Sequence, residues 1–177
     1  MCGIIGILGK NEVAPQLIEA LRRLEYRGYD SAGISTLHAG QLQRRRAVGK
    51  LNELSDLLVH KPLIGKSGIG HTRWATHGAP SVGNAHPHTT GRVSVVHNGI
   101  IENFKELHEE LKVKGYTAES DTDTEVVAML VDCEINGGKT PLEAVRNAVM
   151  AVKGAYALCF LFEGEEDLMI CLLYTSP

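Results

Sequence analysis

The order of its elements predicts an α+β fold in which two sheets and their helices stack in layers. Apolar runs of strand length stand near both ends of the chain. Helical spacing and two capping-box signatures mark the helices between them. The elements also come in blocks (strands, helix, strands, helices, strands) rather than as alternating βα units.

Residues 2–8 form a short apolar run and predict a buried strand. Val13, Leu17, Ala20, Leu21 and Leu24 follow helical spacing, which predicts a helix over 13–26. Two runs, 31–37 and 41–48, flank Ala39-Gly40 and read as a hairpin. Residues 50–59 form a short amphipathic helix, and 67–72 and 92–97 are strands. Phe104, Leu107 and Leu111 mark a helix over about 103–114. Thr122-Asp123-Thr124-Glu125 reads as a capping box before the apolar face of Val126, Val127, Leu130 and Cys133. Thr140-Pro141-Leu142-Glu143 is a second box, with Pro at the first helical position and the helix ending near Gly154. Residues 156–162 and 168–174 are continuous apolar strands.

The chain has 177 residues, 44% apolar and 22% charged, which excludes a disordered tail, a fibre and a membrane bundle. Eighteen basic against 21 acidic residues give no electrostatic reason to expect nucleic acid. No apolar run reaches membrane-spanning length, and the N-terminus lacks the basic region of a signal peptide. None of the four cysteines forms a C-x-x-C pair, so no disulfide framework is expected and the cytoplasm is the predicted location.

Several glycine motifs fail on inspection. Gly65-Lys66-Ser67 and Gly138-Lys139-Thr140 lack the first glycine of a phosphate loop, and Gly65, Gly68 and Gly70 have the wrong order for a dinucleotide fingerprint. His71, His77, His86, His88 and His97 cluster in sequence. A histidine metal-binding module is one reading; neutral hydrogen-bonding groups lining a pocket is the other. No Asp or Glu lies between Gly65 and Ile101, so no metal is expected.

Cys2 follows only Met1. With Met1 removed, its thiol would share a residue with a free α-amine, whose reference pKa is ~7.7–8.0. Such a residue carries its own base. The plain alternative is a cysteine that opens a buried strand. Asn98-Gly99 is either a two-residue hairpin turn or an oxyanion hole made from a side-chain amide and a backbone N–H. Arg73 suits a carboxylate, or is a surface arginine. Asp123 could hold an ammonium, or serve the first turn of a helix.

Together, Cys2-Gly3-Ile4-Ile5-Gly6, Tyr26 to Gly33, the Arg73 segment, Asn84-Ala85-His86-Pro87-His88, His97 to Asn103 and Ser120 to Glu125 resemble the glutaminase domain of the glutamine–fructose-6-phosphate aminotransferase family. The resemblance runs from Cys2 to about Phe162. It implies a class II glutamine amidotransferase with a four-layer αββα sandwich of N-terminal-nucleophile type, occupying 2–170 and truncated at its C-terminal end. Residues 171–177 do not match the family's continuation, and its sugar-isomerase domain is expected to lie outside the chain. The resemblance makes Cys2 the nucleophile, with Arg27 near it, and Asn98 and Gly99 the oxyanion hole. Arg73 would take the α-carboxylate of L-glutamine and Asp123 its α-ammonium. Thr76 and His77 would line the pocket, Trp74 would sit on a loop over it, and His86 would support that loop. No cofactor and no metal are implied. The implied partners are L-glutamine, fructose 6-phosphate on the missing domain, and a second copy of the full enzyme. Amidophosphoribosyltransferases share Cys2, Arg73, Asn98, Gly99 and Asp123; the Tyr-Arg-Gly-Tyr-Asp and Trp-Ala-Thr-His forms favour the hexosamine branch. A self-processing hydrolase is a further rival, and it would need a propeptide.

Overall fold

The computed structural model describes residues 2–75 and 78–174. The fold is α+β with two four-stranded antiparallel sheets. The first has the order β1-β4-β2-β3, built from β1 (Gly3–Leu8), β2 (Ser31–His38), β3 (Gln41–Val48) and β4 (Ser67–Arg73). The second has the order β5-β6-β7-β8, from β5 (His88–Thr90), β6 (Val93–Ile101), β7 (Gly154–Phe162) and β8 (Met169–Tyr174). Among the described residues, five α-helices complete it: α1 (Ala14–Arg22), α2 (Leu51–His60), α3 (Phe104–Val113), α4 (Asp123–Asn136) and α5 (Pro141–Ala151). Among the described residues, no helix is long and apolar enough to cross a membrane.

Strand alternation sorts the residues into three apolar clusters. Val13, Leu17 and Leu21 of the α1 segment meet Leu51 and Leu54 of α2 and Ile34 of β2 on one outer side. Val126, Met129, Val145 and Ala148 of α4 and α5 meet Val95, Leu158 and Phe160 on the other. A smaller cluster joins the sheets: Ile69 of β4, Val96 of β6, and Cys159 and Leu161 of β7, with Ile4, Leu42 and Met169 at its margin.

The β4 sequence Ser67-Gly68-Ile69-Gly70-His71-Thr72-Arg73 shows how this pattern places chemistry. Gly68 and Gly70 face α1, and a Cβ on Gly68 would stand 2.7 Å from Leu17 Cδ1 and 2.8 Å from Val13 Cγ2. The glycines that fail as a nucleotide motif therefore let a helix approach closely. The alternate residues Ile69 and His71 point at the second sheet, where Ile69 joins the small cluster and His71 reaches Asn98.

Several expectations change. The first helix ends at Arg22, not near residue 26; the chain then tightens into a 3₁₀ turn, Glu25–Arg27, with Gly28 N–H donating to Glu25 O. The short β5 was not foreseen. β6 runs on to Ile101, with Asn98 opposite Ala157 and Gly99 opposite Tyr156, so Asn98-Gly99 is not a hairpin turn. The second capping box forms reciprocally: Thr140 Oγ1 accepts from Glu143 N and Thr140 N donates to the Glu143 carboxylate. The first does not. Thr122 occupies the N-cap position without a side-chain cap, and the Glu125 carboxylate instead takes Glu119 N, Ser120 N and Ser120 Oγ. Finally, Cys159 and Cys171 stand opposite each other on β7 and β8 and are joined as a disulfide, against the expectation of none. Strand register made these neighbours, which spacing along the chain does not reveal.

Candidate active site

A cavity of about 650 Å³ opens where the ends of β1, β4 and β6 meet the start of α4. Its walls include Cys2, Arg27, Arg73, Trp74, His86, Asn98, Gly99 and Asp123. Eight of the ten residues singled out from sequence thus share one cavity. The other two, Thr76 and His77, lie outside the described residues.

Cys2 stands just before β1. Trp74 N–H donates to Cys2 Sγ at 3.2 Å, and the thiol lies 3.6 Å from Trp74 O. The Trp74 side chain is 54% exposed at the cavity mouth. Arg27, in the 3₁₀ turn, lines the same wall, and its Nε donates to Tyr26 Oη at 3.1 Å.

Arg73 ends β4 and is 3% exposed. Its Nη2 donates to Gly78 O at 3.3 Å, and its Nη1 lies 3.7 Å from Asp30 Oδ1. Asp30 also accepts from Ser31 Oγ at 2.8 Å and from Ala75 N at 2.5 Å. That carboxylate ties the segment after β4 to the start of β2. Arg73 is therefore a built part of the cavity wall, not a surface arginine.

Asp123 is the first residue of α4 and is 5% exposed. One oxygen accepts the Ile101 N–H at 2.8 Å, which fixes the end of β6 against the helix start. The other lies 3.4 Å from Thr124 Oγ1 and 3.7 Å from His97 Nδ1.

Asn98 and Gly99 lie within β6. Asn98 Nδ2 donates to Cys2 O at 3.4 Å, which brings the amide beside the cysteine. Gly99 has φ +129°, and a Cβ there would stand 2.1 Å from Ala155 O. Gly99→Ala should therefore cost about 2–4 kcal/mol through strain and backbone overlap. A thermal melt checks this; an unchanged midpoint would mean that β6 and β7 can shift apart at no cost.

Four histidines, of which only His86 had a role implied by the resemblance, pack together here, and His71, His86 and His97 line the cavity. His71, His86, His88 and His97 are all buried. His71 and His86 stack with ring centroids 4.3 Å apart, and His86 meets His88 edge-on at 4.8 Å. Thr124 Oγ1 bridges His86 Nε2 and His97 Nδ1, each at 2.8 Å, and Thr122 Oγ1 lies 3.0 Å from His88 Nε2. Burial pushes His71 down to about 4, and burial with neighbouring basic groups holds His86 and His88 well below the ordinary value. These rings are neutral hydrogen-bonding groups at pH 7. Among the described residues, no three His, Cys, Asp or Glu converge as a metal-binding set. Their run along the sequence was the visible signal, but the threonines that pair with them come from the first turn of α4 and the residue before it.

Arg46 of β3 was also missed. Its Nη1 donates to Gly83 O at 2.9 Å and Ala85 O at 2.8 Å, holding the segment that carries His86. Burial and the adjacent Arg44 lower it to about 10, so it stays charged.

A cysteine beside a backbone donor and a carboxamide, in a cavity walled by one buried arginine and one buried aspartate, suits acyl transfer from an amino-acid amide. The chain belongs to the glutamine amidotransferase domain family, whose model matches residues 71–172. It is 62% identical over 170 residues to glutamine–fructose-6-phosphate aminotransferase [isomerizing] of Brucella abortus, covering 96% of this chain and 28% of that protein. With the protein of the same description from Caulobacter vibrioides it shares 58% over 177 residues, covering 100% and 29%. The chain thus spans under a third of these relatives' length. Among solved structures it is similar to the glutamine phosphoribosylpyrophosphate amidotransferase of B. subtilis, with a TM-score of 0.80 at 29% identity over 98% of this chain and 37% of that one.

Proposed function

We propose that this chain is the glutaminase portion of a glutamine–fructose-6-phosphate aminotransferase, with a four-layer αββα fold of N-terminal-nucleophile type. The observation that carries the reading is that the Asn98 amide, which donates to the Cys2 carbonyl, and Cys2 itself line one cavity with Arg73 and Asp123. The identity to proteins of that description supports the choice of branch over the amidophosphoribosyltransferases.

In this reading the α-amine of Cys2 takes the thiol proton, and Sγ attacks the side-chain amide carbon of L-glutamine. The carbonyl oxygen becomes an oxyanion facing Asn98 Nδ2 and the Gly99 N–H. The protonated amine returns its proton to the leaving nitrogen, and the C–N bond breaks. Ammonia departs and a γ-glutamyl thioester stays on Cys2. Water then adds to the thioester carbon as the freed α-amine takes its proton; the C–S bond breaks, the proton returns to Sγ, and glutamate leaves. Arg73 holds the α-carboxylate of glutamine and Asp123 its α-ammonium, which distinguishes a free amino acid from a glutamine within a peptide. Arg27 and Trp74 cover the thiol side, Thr76 and His77 complete the pocket, and His86 supports it from below. The ammonia passes to fructose 6-phosphate on a sugar-isomerase-type domain outside this chain, through which the enzyme pairs with a second copy. The amidotransferase unit is residues 2–170 in this reading.

A glutamine-analogue electrophile should add once to the mature protein, at Cys2, with free glutamine protecting. Peptide mapping by mass spectrometry reads the site. Labelling of Cys133 at an equal rate would remove Cys2 from its role, because a cysteine on the apolar face of α4 has no activating partner.

A further inference from the structure

We propose that His71 is the positioning residue that sets which way the Asn98 amide faces. The inference rests on the oxyanion role given above to Asn98. An Asn side chain can turn over and exchange its oxygen and nitrogen, and the two orientations have opposite consequences. With Nδ2 toward Cys2, the amide donates to a developing oxyanion. Turned over, it presents an oxygen there and repels the same charge.

His71 Nε2 lies 2.9 Å from His97 O and 2.8 Å from the Asn98 side-chain oxygen. The first partner decides the chemistry. A backbone carbonyl only accepts, so Nε2 must carry the hydrogen. A nitrogen that always donates selects an acceptor as its second partner. That partner is Asn98 Oδ1, and Nδ2 is thereby turned to Cys2, whose carbonyl it reaches at 3.4 Å. The ring cannot change roles. It is 1% exposed, and its other nitrogen, Nδ1, has no hydrogen-bond partner among the described residues. A proton there would place an unpaired charge beside the stacked His86 ring. The burial that lowers His71 to about 4 keeps it neutral throughout the working pH range. Among the described residues, the Asn98 side-chain oxygen has no other hydrogen bond that would choose the orientation.

The test compares His71→Leu, His71→Gln, Asn98→Ala and the Leu/Ala double variant in the full-length protein, by glutaminase turnover. Gln places an amide N–H close to where His carries Nε2–H, and Leu removes the donor. Asn98→Ala should lower kcat by roughly 100-fold, the usual loss for one oxyanion donor, and His71→Leu by about 10-fold or more. KM for glutamine should change little in both. His71→Gln should regain most of the kcat. The double variant should be no slower than Asn98→Ala alone, because His71 acts only through that amide. If His71→Leu does not fold, His71→Asn replaces it: a polar side chain too short to reach, which should stay slow where Gln recovers. Equal kcat for Asn and Gln would overturn the proposal. So would multiplicative losses in the double variant, or a rise in KM alone. A slow Asn98→Ala beside an unaffected His71→Leu sinks only the role of His71. An Asn98→Ala with normal kcat sinks the oxyanion reading and this proposal together.

Discussion

Full-length protein that keeps Met1 on Cys2 should melt with the processed form and show negligible glutaminase turnover. With Met1 attached, the nitrogen of Cys2 is an amide, whose lone pair is delocalised and cannot take the thiol proton. A positioned general base is worth about 100- to 10,000-fold in rate. An added residue would also take up room beside the sulfur, which the Trp74 N–H already contacts. Stability should not follow activity. Cys2 precedes β1, whose pairing with β4 starts at Gly3 opposite Thr72, so an extra residue in front of it disturbs no ladder bond. A bulky residue placed after Met1 to block its removal, with mass spectrometry to verify the terminus, supplies the protein. Ordinary turnover with Met1 in place would end the N-terminal-nucleophile mechanism.

The second large effect is on stability in weak acid. His71 is lowered from 6.5 to about 4 by burial, and His86 and His88 fall well below 6.5 for the same first reason. Further depression comes from other basic groups, chiefly His71 for His86 and Arg46 for His88. In the unfolded chain these rings bind protons near pH 6.5; in the folded protein they do not. The unfolded state therefore holds more protons below that pH, and stability falls as pH falls. Their contribution is complete above about 6.5. It drains away for His71 down to about 4, and continues lower for the other two. Each ring contributes a slope of at most about 1.4 kcal/mol per pH unit. Most carboxylates titrate lower, near ~4, so the interval from 6.5 to 5 belongs mainly to histidine. Melting midpoints at pH 7.5, 6.0 and 5.0 should drop steadily, and His71→Gln should flatten the decline. A midpoint constant from 7.5 to 5.0 would show that these rings are solvated.

The strands and helices were legible because each depends on neighbours within a few residues. Leu17 and Leu21 face one way because helical geometry requires it, and Thr140 with Glu143 closes a box that needs nothing from elsewhere. The misread elements depend on distant partners. Thr122 to Glu125 has the same local signature, yet Glu125 is taken by Glu119 and Ser120, and Thr122 by His88 of β5. Asn98-Gly99 has the composition of a turn, but β7 pairs along its whole length and keeps it extended. The site divides the same way. Cys2, Arg73, Asn98 and Asp123 were visible as residue types suited to a task. The hydrogen on His71 Nε2, the bridge at Thr124 and the grip of Arg46 on Gly83 and Ala85 exist only once separate strands and helices lie side by side.

The thin apolar seam between the sheets has a consequence for how the protein fails. Each sheet with its own helices has a large apolar interior, whereas among the described residues the buried apolar cluster joining the two is only Ile69, Val96, Cys159 and Leu161. The proposed reactive centre straddles that seam: Cys2 and Arg73 stand on one half, Asn98 and Asp123 on the other. A slight parting of the halves would leave helix content and most of the dry interior intact while separating Cys2 from Asn98 and Arg73 from Asp123. On the proposed mechanism, glutaminase turnover is accordingly a more sensitive gauge of native assembly than any spectroscopic signal from the secondary structure.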